Sequence, residues 1–139
     1  GNRLELPEVM NVGWLDKSHP YNRADVSEKM LTQLKNLIFS SGDLDIHVNL
    51  TRGIHQCDFC GEMDVVLEQN GKRKWLGSDE LWIPSLKEGE YFASPSLIYH
   101  YIYNHAYCPP SDYIVSVLAL DLETKFNGQE VYNRLVGKY

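Results

Sequence analysis

The sequence predicts a single α+β domain in which a small antiparallel sheet packs with three or four helices. Three observations support this class: apolar residues at helical spacing over 26–40, a hairpin turn at 70–71, and a nearly uncharged helical segment after residue 94. The chain has 139 residues, which is enough for one domain with its own core. We expect residues 1–24 to form an irregular N-terminal arm because they show no periodic pattern.

The first helix is predicted over residues 26–40, with Gly42 as its stop signal. Asp25 and Glu28 have the spacing of a capping box, so we expect them to begin this helix. Its apolar residues recur every three or four positions and would form one buried face. They are Met30, Leu31, Leu34, Leu37 and Ile38.

The sheet is predicted from short runs in which apolar and polar side chains alternate. Strands are expected near residues 46–51, 63–69, 81–83 and 91–92. They would form an antiparallel sheet of three to five strands.

Asn70-Gly71 is a strong hairpin signal, because both central positions of the favoured two-residue turn need a positive φ. This turn would pair Glu68 with Arg73 and Val66 with Trp75. The opposite charges and the apolar pair both favour this register.

Three further helices are predicted in the C-terminal half. Ser94 and Pro95 are typical of a helix start, since Ser caps a helix and Pro fits its first position. Pro109-Pro110 would end this helix, and Ser111 would begin the next one. A last short helix is expected over residues 128–136.

The helix expected after Ser94 lacks the charged stripe of a surface helix, since no charged residue occurs from Tyr91 to Ser111. Burial within the monomer would explain this composition. The alternative is a homodimer contact through Tyr99 and Tyr103, because tyrosine is enriched at protein interfaces.

Cys57 and Cys60 form the clearest chemical motif, because two thiols separated by two residues can converge on one metal ion. Thiolates and imidazoles are ligands that Zn²⁺ prefers in a tetrahedral site. We expect His105 and His100 to complete the site and to join a sheet edge to the uncharged helix. His55 stays open as a replacement for His100, which lies about 140° from His105 on an ideal helix.

Other interpretations of the cysteines and histidines stay open. Cys57 and Cys60 are small enough to be ordinary core residues, and a redox pair is a weaker alternative. Cys108 is expected to be a packed or free thiol, or a replacement ligand. His19 and His47 are expected at the surface.

A non-enzymatic protein-binding or accessory module, of the adaptor or immunity type, is the leading functional hypothesis. A closed four-ligand site would have a structural role, and the net charge of −6 suits a basic protein partner. The alternative is a small metal-dependent hydrolase with three ligands, an open position, and Glu62 or Asp58 as base.

A nucleic-acid-binding zinc ribbon is the second alternative, since Lys72, Arg73 and Lys74 adjoin Trp75. The negative net charge opposes binding to a phosphate backbone. We also expect a cytoplasmic protein without a membrane span. Three cysteines make no disulfide framework, no leader pattern is visible, and no apolar run is long enough to cross a bilayer. Because the sequence starts at Gly1, a leader removed earlier stays open.

Three segments, at residues 51–60, 76–84 and 95–110, resemble a bacterial family of small, functionally uncharacterised proteins. That family carries an Arg-Gly-x-His-x-Cys-x-x-Cys segment and a later Tyr-His-Tyr-x-x-x-His-x-Tyr-x-Pro-Pro segment. The similarity spans about residues 50–118 and brings no established activity. The resemblance implies a bacterial cytoplasmic origin and one shared site. Its members would be His55, Cys57, Cys60, His100 and His105.

Overall fold

The computed structural model describes residues 6–48, 56–62 and 65–138. The helices within these ranges are α1 (Glu28–Phe39), α2 (Ile98–His105), α3 (Ser111–Ala119) and α4 (Gly128–Lys138). The strands are β1 (Val9–Asn11), β2 (Leu44–Asp45), β3 (His47–Val48), β4 (Val66–Gln69), β5 (Lys72–Trp75), β6 (Glu80–Pro84), β7 (Tyr91–Pro95) and β8 (Phe126–Asn127). The predicted α+β class is confirmed. None of these helices is long and apolar enough for a membrane span.

The main sheet has four strands in the order β1-β7-β6-β3. β6 pairs antiparallel with both β7 and β3, but β1 pairs parallel with β7. The separate β2–β8 pair is also parallel. The sheets are therefore mixed rather than purely antiparallel. A parallel pair is joined by a long connection, so no local turn signal announces it.

β1 lies inside the segment that was expected to be irregular, residues 1–24. It has three residues, too few for alternation to be recognisable in the sequence. The predicted strands at 46–51 and 63–69 extend beyond the described residues, and β3 and β4 are their described parts.

The β4–β5 hairpin has the predicted register, with Val66 opposite Trp75 and Glu68 opposite Arg73. Its turn, Asn70-Gly71, has φ angles of 51° and 80°, as the favoured two-residue turn requires. Arg73 Nε lies 2.6 Å from Glu68 Oε1 across the strands. Local turn chemistry therefore determined this element.

The predicted capping box at the start of α1 is wrong. Ser27 caps the helix, and its hydroxyl oxygen accepts the Met30 backbone N–H at 3.2 Å. Ser27 directly precedes the first helical residue, so its short side chain reaches the third backbone N–H. Asp25 lies two residues earlier and does not cap the helix.

The predicted helix start at Ser94-Pro95 is also wrong. Both residues belong to β7, where they pair with Leu81 and Glu80 of β6. The ladder with β6 holds this stretch extended, and α2 begins only at Ile98. Long-range pairing overrides the local helix-start signal here.

The main core lies between α1, α2, α3 and the sheet. α1 buries Met30, Leu34, Leu37 and Ile38 on one face, which confirms its predicted periodicity. α2 buries one side, including Ile98, Ile102 and Tyr101, but Tyr103 is 67% exposed. The uncharged helix is thus half core and half surface. A smaller cluster packs α4 on Trp82 and Val48.

The N-terminal segment crosses α2 closely at Gly13. A Cβ atom at Gly13, whose φ is +79°, would lie 3.0 Å from Ile98 Cδ1. Gly42 has a similar φ of +99° and no atom within 4 Å of a Cβ. The two glycines share the backbone strain of an added side chain, and only Gly13 adds a clash.

We therefore predict that Gly13→Ala lowers the free energy of unfolding by about 2–3 kcal/mol and Gly42→Ala by only about 1 kcal/mol. Urea unfolding of both variants measures the difference. Equal losses would show that the segment around Gly13 does not pack closely on α2.

Candidate metal centre

Two cysteines and two histidines converge between the loop at residues 56–62 and α2. One ligand atom from each of Cys57, Cys60, His100 and His105 lies within 4.8 Å of all the others. Cys57 and His100 are buried, His105 is half-buried and Cys60 is exposed. These are the four residues that were predicted from the sequence as metal ligands.

Three separations between the donor atoms agree with those around one tetrahedral ion. The two Nε2 atoms of His100 and His105 lie 3.3 Å apart. Cys57 Sγ lies 3.3 Å from His105 Nε2, and Cys60 Sγ lies 3.5 Å from His100 Nε2. Usual zinc–ligand bond lengths at tetrahedral angles give about 3.3 Å between nitrogens and about 3.6 Å between sulfur and nitrogen. The cluster could hold a metal ion and is compatible with zinc.

The cysteine loop is closed by backbone hydrogen bonds. The Gly61 N–H donates to the Cys57 carbonyl oxygen at 2.7 Å, and the Cys57 N–H donates to the Glu62 carbonyl oxygen at 3.0 Å. These bonds fold the loop back on itself. Both sulfurs therefore reach the same cluster.

α2 supplies both imidazoles, and His105 is its last residue. On an ideal helix the side chains of His100 and His105 would point about 140° apart. The chain leaves the helix at Ala106, which has a left-handed φ of 55°. His105 lies at this end, and its ring meets that of His100 with centroids 5.0 Å apart.

Phe59, between the two cysteines, anchors the loop among aromatic rings. Its ring centroid lies 5.2 Å from that of Tyr21, 5.3 Å from His105 and 5.8 Å from Tyr101. The Tyr21 hydroxyl donates to the His105 carbonyl oxygen at 2.8 Å. The sequence motif gave no sign of this aromatic cluster, because its members lie far apart in the chain.

The segment before α1 holds the same end of α2. The Ala24 N–H donates to the Ala106 carbonyl oxygen at 3.2 Å, and the Cys108 N–H donates to the Asn22 carbonyl oxygen at 2.9 Å. Three parts of the chain therefore meet at the cluster: the cysteine loop, α2 and the segment that leads into α1.

Burial sets the protonation of two members of the cluster. Burial, together with the nearby charge of His105, lowers the pKa of His100, so its ring is neutral and suited to bind a metal. Burial raises the pKa of the Cys57 thiol. A metal ion would therefore have to displace a proton from Cys57, which makes binding weaker as pH falls.

The other histidines and the third cysteine lie elsewhere. The alternative ligand His55 lies outside the described residues. Cys108 is half-buried, is not in the cluster, and donates to the Pro109 carbonyl oxygen at 3.6 Å. His19 is exposed as predicted, but His47 is half-buried between α1 and the sheet, so its predicted surface position is wrong. The His47 ring is covered because it lies between the Ile38 carbonyl oxygen of α1 and the Asp79 carboxylate.

Glu62, the base expected for a hydrolase, is exposed, and its charge acts on His100 by favouring a protonated ring. The basic residues of the expected nucleic-acid patch lie on β5. One of them, Arg73, is paired with Glu68.

A family model described as a domain of unknown function, DUF7919, matches residues 2–118. The chain belongs to the DUF7919 family. The match includes all four residues of the cluster, helices α1 and α2, and α3 except for its last residue, whereas α4 lies beyond it. No curated protein and no solved structure matches the chain. Membership in this functionally uncharacterised family brings no activity, substrate or partner with it.

The aromatic anchor leads to a stability prediction. Phe59→Ala should lower the free energy of unfolding by about 2 kcal/mol, because a half-buried ring leaves a gap among three others. Asp58→Ala, an exposed neighbour in the same loop, should change it by less than about 0.5 kcal/mol. Urea unfolding of both variants is the measurement, and equal effects would contradict the anchoring role of Phe59.

Proposed function

We propose that the protein is a non-enzymatic binding module stabilised by one Zn²⁺ ion. Cys57, Cys60, His100 and His105 hold the ion and fix the cysteine loop on α2. The convergence of the four donor atoms, all within 4.8 Å of one another and with three separations of 3.3–3.5 Å, is the observation that supports this proposal.

The number of donors favours a structural role over catalysis. Four protein ligands fill a tetrahedral zinc site, whereas a catalytic site keeps one position for water or substrate. A hydrolase would need one donor to give way, and Cys60 is the exposed one. Its sulfur nevertheless lies 3.5 Å from His100 Nε2, within the separation of a bound pair. The nucleic-acid alternative has weaker support, because the net charge of −6 repels phosphate.

The outer face of α2 supports binding to a second copy of this chain. Tyr99 and Tyr103 stack there with ring centroids 6.1 Å apart and planes 10° from parallel. No charged residue occurs between Tyr91 and Ser111, although the chain has a net charge of −6. Two acidic copies meet with least repulsion where charge is absent, and tyrosine contributes strongly to interfaces. The zinc site on the inner side of α2 would keep this face rigid.

The zinc proposal predicts about one Zn²⁺ per purified chain by elemental analysis. Cys57→Ser, Cys60→Ser and His105→Ala should each weaken zinc affinity at least about 100-fold, since each removes a ligand. Cys108→Ser is the matched control and should bind zinc normally. Chelation should lower the melting temperature of the wild type by roughly 8 °C or more, because metal binding energy is folding energy.

Two results would contradict this proposal. The first is a wild-type protein that contains no metal and whose melting temperature does not change with a chelator. The four residues would then be ordinary packed side chains. Full zinc affinity in Cys60→Ser would show a three-ligand site with an open position and would favour the hydrolase.

Self-association provides the test of the binding face. The wild type should form a dimer as concentration rises in sedimentation velocity, and Tyr103→Glu should remain monomeric because it places like charges in the contact. Leu86→Glu is the matched control, since Leu86 is 66% exposed and Tyr103 is 67% exposed. A wild type that stays monomeric to millimolar concentration, or equal effects of the two substitutions, would contradict this surface.

A further inference from the structure

His47 lies between α1 and the sheet with an acceptor at each ring nitrogen. Its Nδ1 is 2.5 Å from Asp79 Oδ2, and its Nε2 is 2.7 Å from the Ile38 carbonyl oxygen. The side chains of His47 and Asp79 are only 15% and 12% exposed. This pair takes no part in the metal centre.

The two acceptors determine how many protons the ring needs. A carboxylate and a backbone carbonyl only accept hydrogen bonds, and neutral imidazole has a single N–H to donate. Only the imidazolium form satisfies both contacts. We propose that His47 is a proton-dependent clamp, which joins α1 to the β5–β6 loop by two N–H bonds and loses one of them on deprotonation.

The position of each acceptor explains what the clamp joins. Ile38 lies in the last turn of α1, where carbonyl groups lack partners within the helix and where no basic side chain is present. A cation is favoured at this end of a helix. Asp79 directly precedes β6, and its carbonyl oxygen accepts the Ser96 N–H at 3.1 Å just before α2. The clamp therefore connects the end of α1 to the beginning of α2.

Other charged groups from neighbouring strands also lie around His47. Asp45, in β2, accepts the backbone N–H of His47 at 3.0 Å. The positive charge of Lys74, in β5, disfavours the protonated form of His47 and lowers its pKa. α4 packs on the opposite side of β3, towards which Val48 points. Burial lowers the pKa of His47, but the hydrogen bond and charge of Asp79, with the Ile38 carbonyl, outweigh it and raise the pKa above its ordinary value.

The sign of the pH effect follows from this raised pKa. The clamp stabilises the fold fully below the unfolded pKa of about 6.5 and is lost as pH rises through the higher folded value. The contribution of zinc binding to stability increases as pH rises, because the ligands must lose protons. A loss of stability with rising pH can therefore be assigned to His47 rather than to zinc.

The direct test is an NMR titration of the imidazole nitrogens in the wild-type protein as purified, whatever its metal content. Both nitrogens of His47 should carry protons at pH 6.5, and the midpoint should lie above 6.5. Between pH 6 and 8.5 the melting temperature of the wild type should fall by roughly 2–4 °C more than that of His47→Gln or Asp79→Asn. His19→Gln is the control, because His19 contacts Asp16 but is 78% exposed, and it should follow the wild type.

A His47 midpoint at or below 6.5, or a single N–H on the ring at pH 6.5, would overturn the proposal. The same would follow if His47→Gln lost as much stability with rising pH as the wild type. The titration needs no variant, so the test holds even if both variants fold poorly. It is also independent of the zinc proposal, since His47 contacts no member of the cluster.

Discussion

Four electron-pair donors within 4.8 Å of one another are the constraint on which the centre of this structure depends. Two sulfurs and two imidazole nitrogens present lone pairs to the same small space, and a cation at its centre would satisfy all of them. The cysteine loop, α2 and the segment before α1 meet around this space, where Phe59 and Tyr21 also pack on α2. A bound ion would add a direct link between the cysteine loop and α2, and its binding energy would add to the stability of the fold.

The chemistry of the cluster could be predicted from residue types and spacing, but its geometry could not. Cys57 and Cys60 converge because the loop between them is short, and His105 follows from its place on the apolar face of α2. Ideal helical spacing puts His100 about 140° from His105, yet the two rings meet with centroids 5.0 Å apart. Spacing alone therefore did not decide between His100 and His55 as the fourth ligand.

Elements that depend on residues close together in the sequence were predicted correctly. Elements that depend on pairing between distant parts of the chain were not. The apolar periodicity of α1 and the Asn70-Gly71 turn act within a few residues. The parallel pairing of β1 with β7 joins residues about eighty positions apart, and it has no local signal. Ser94-Pro95 is the reverse case, because a clear local signal for a helix yields to pairing with β6. His47 was misplaced for a related reason, since only the packing of α1 shows that its side of β3 is covered.

X-ray absorption at the zinc edge of the purified, untreated protein tests the central claim most directly. We predict a single zinc environment with two sulfur neighbours at about 2.3 Å and two nitrogen neighbours at about 2.0 Å, without an oxygen neighbour. A spectrum without sulfur neighbours, or with one bound oxygen in place of a sulfur, would contradict the closed four-ligand centre.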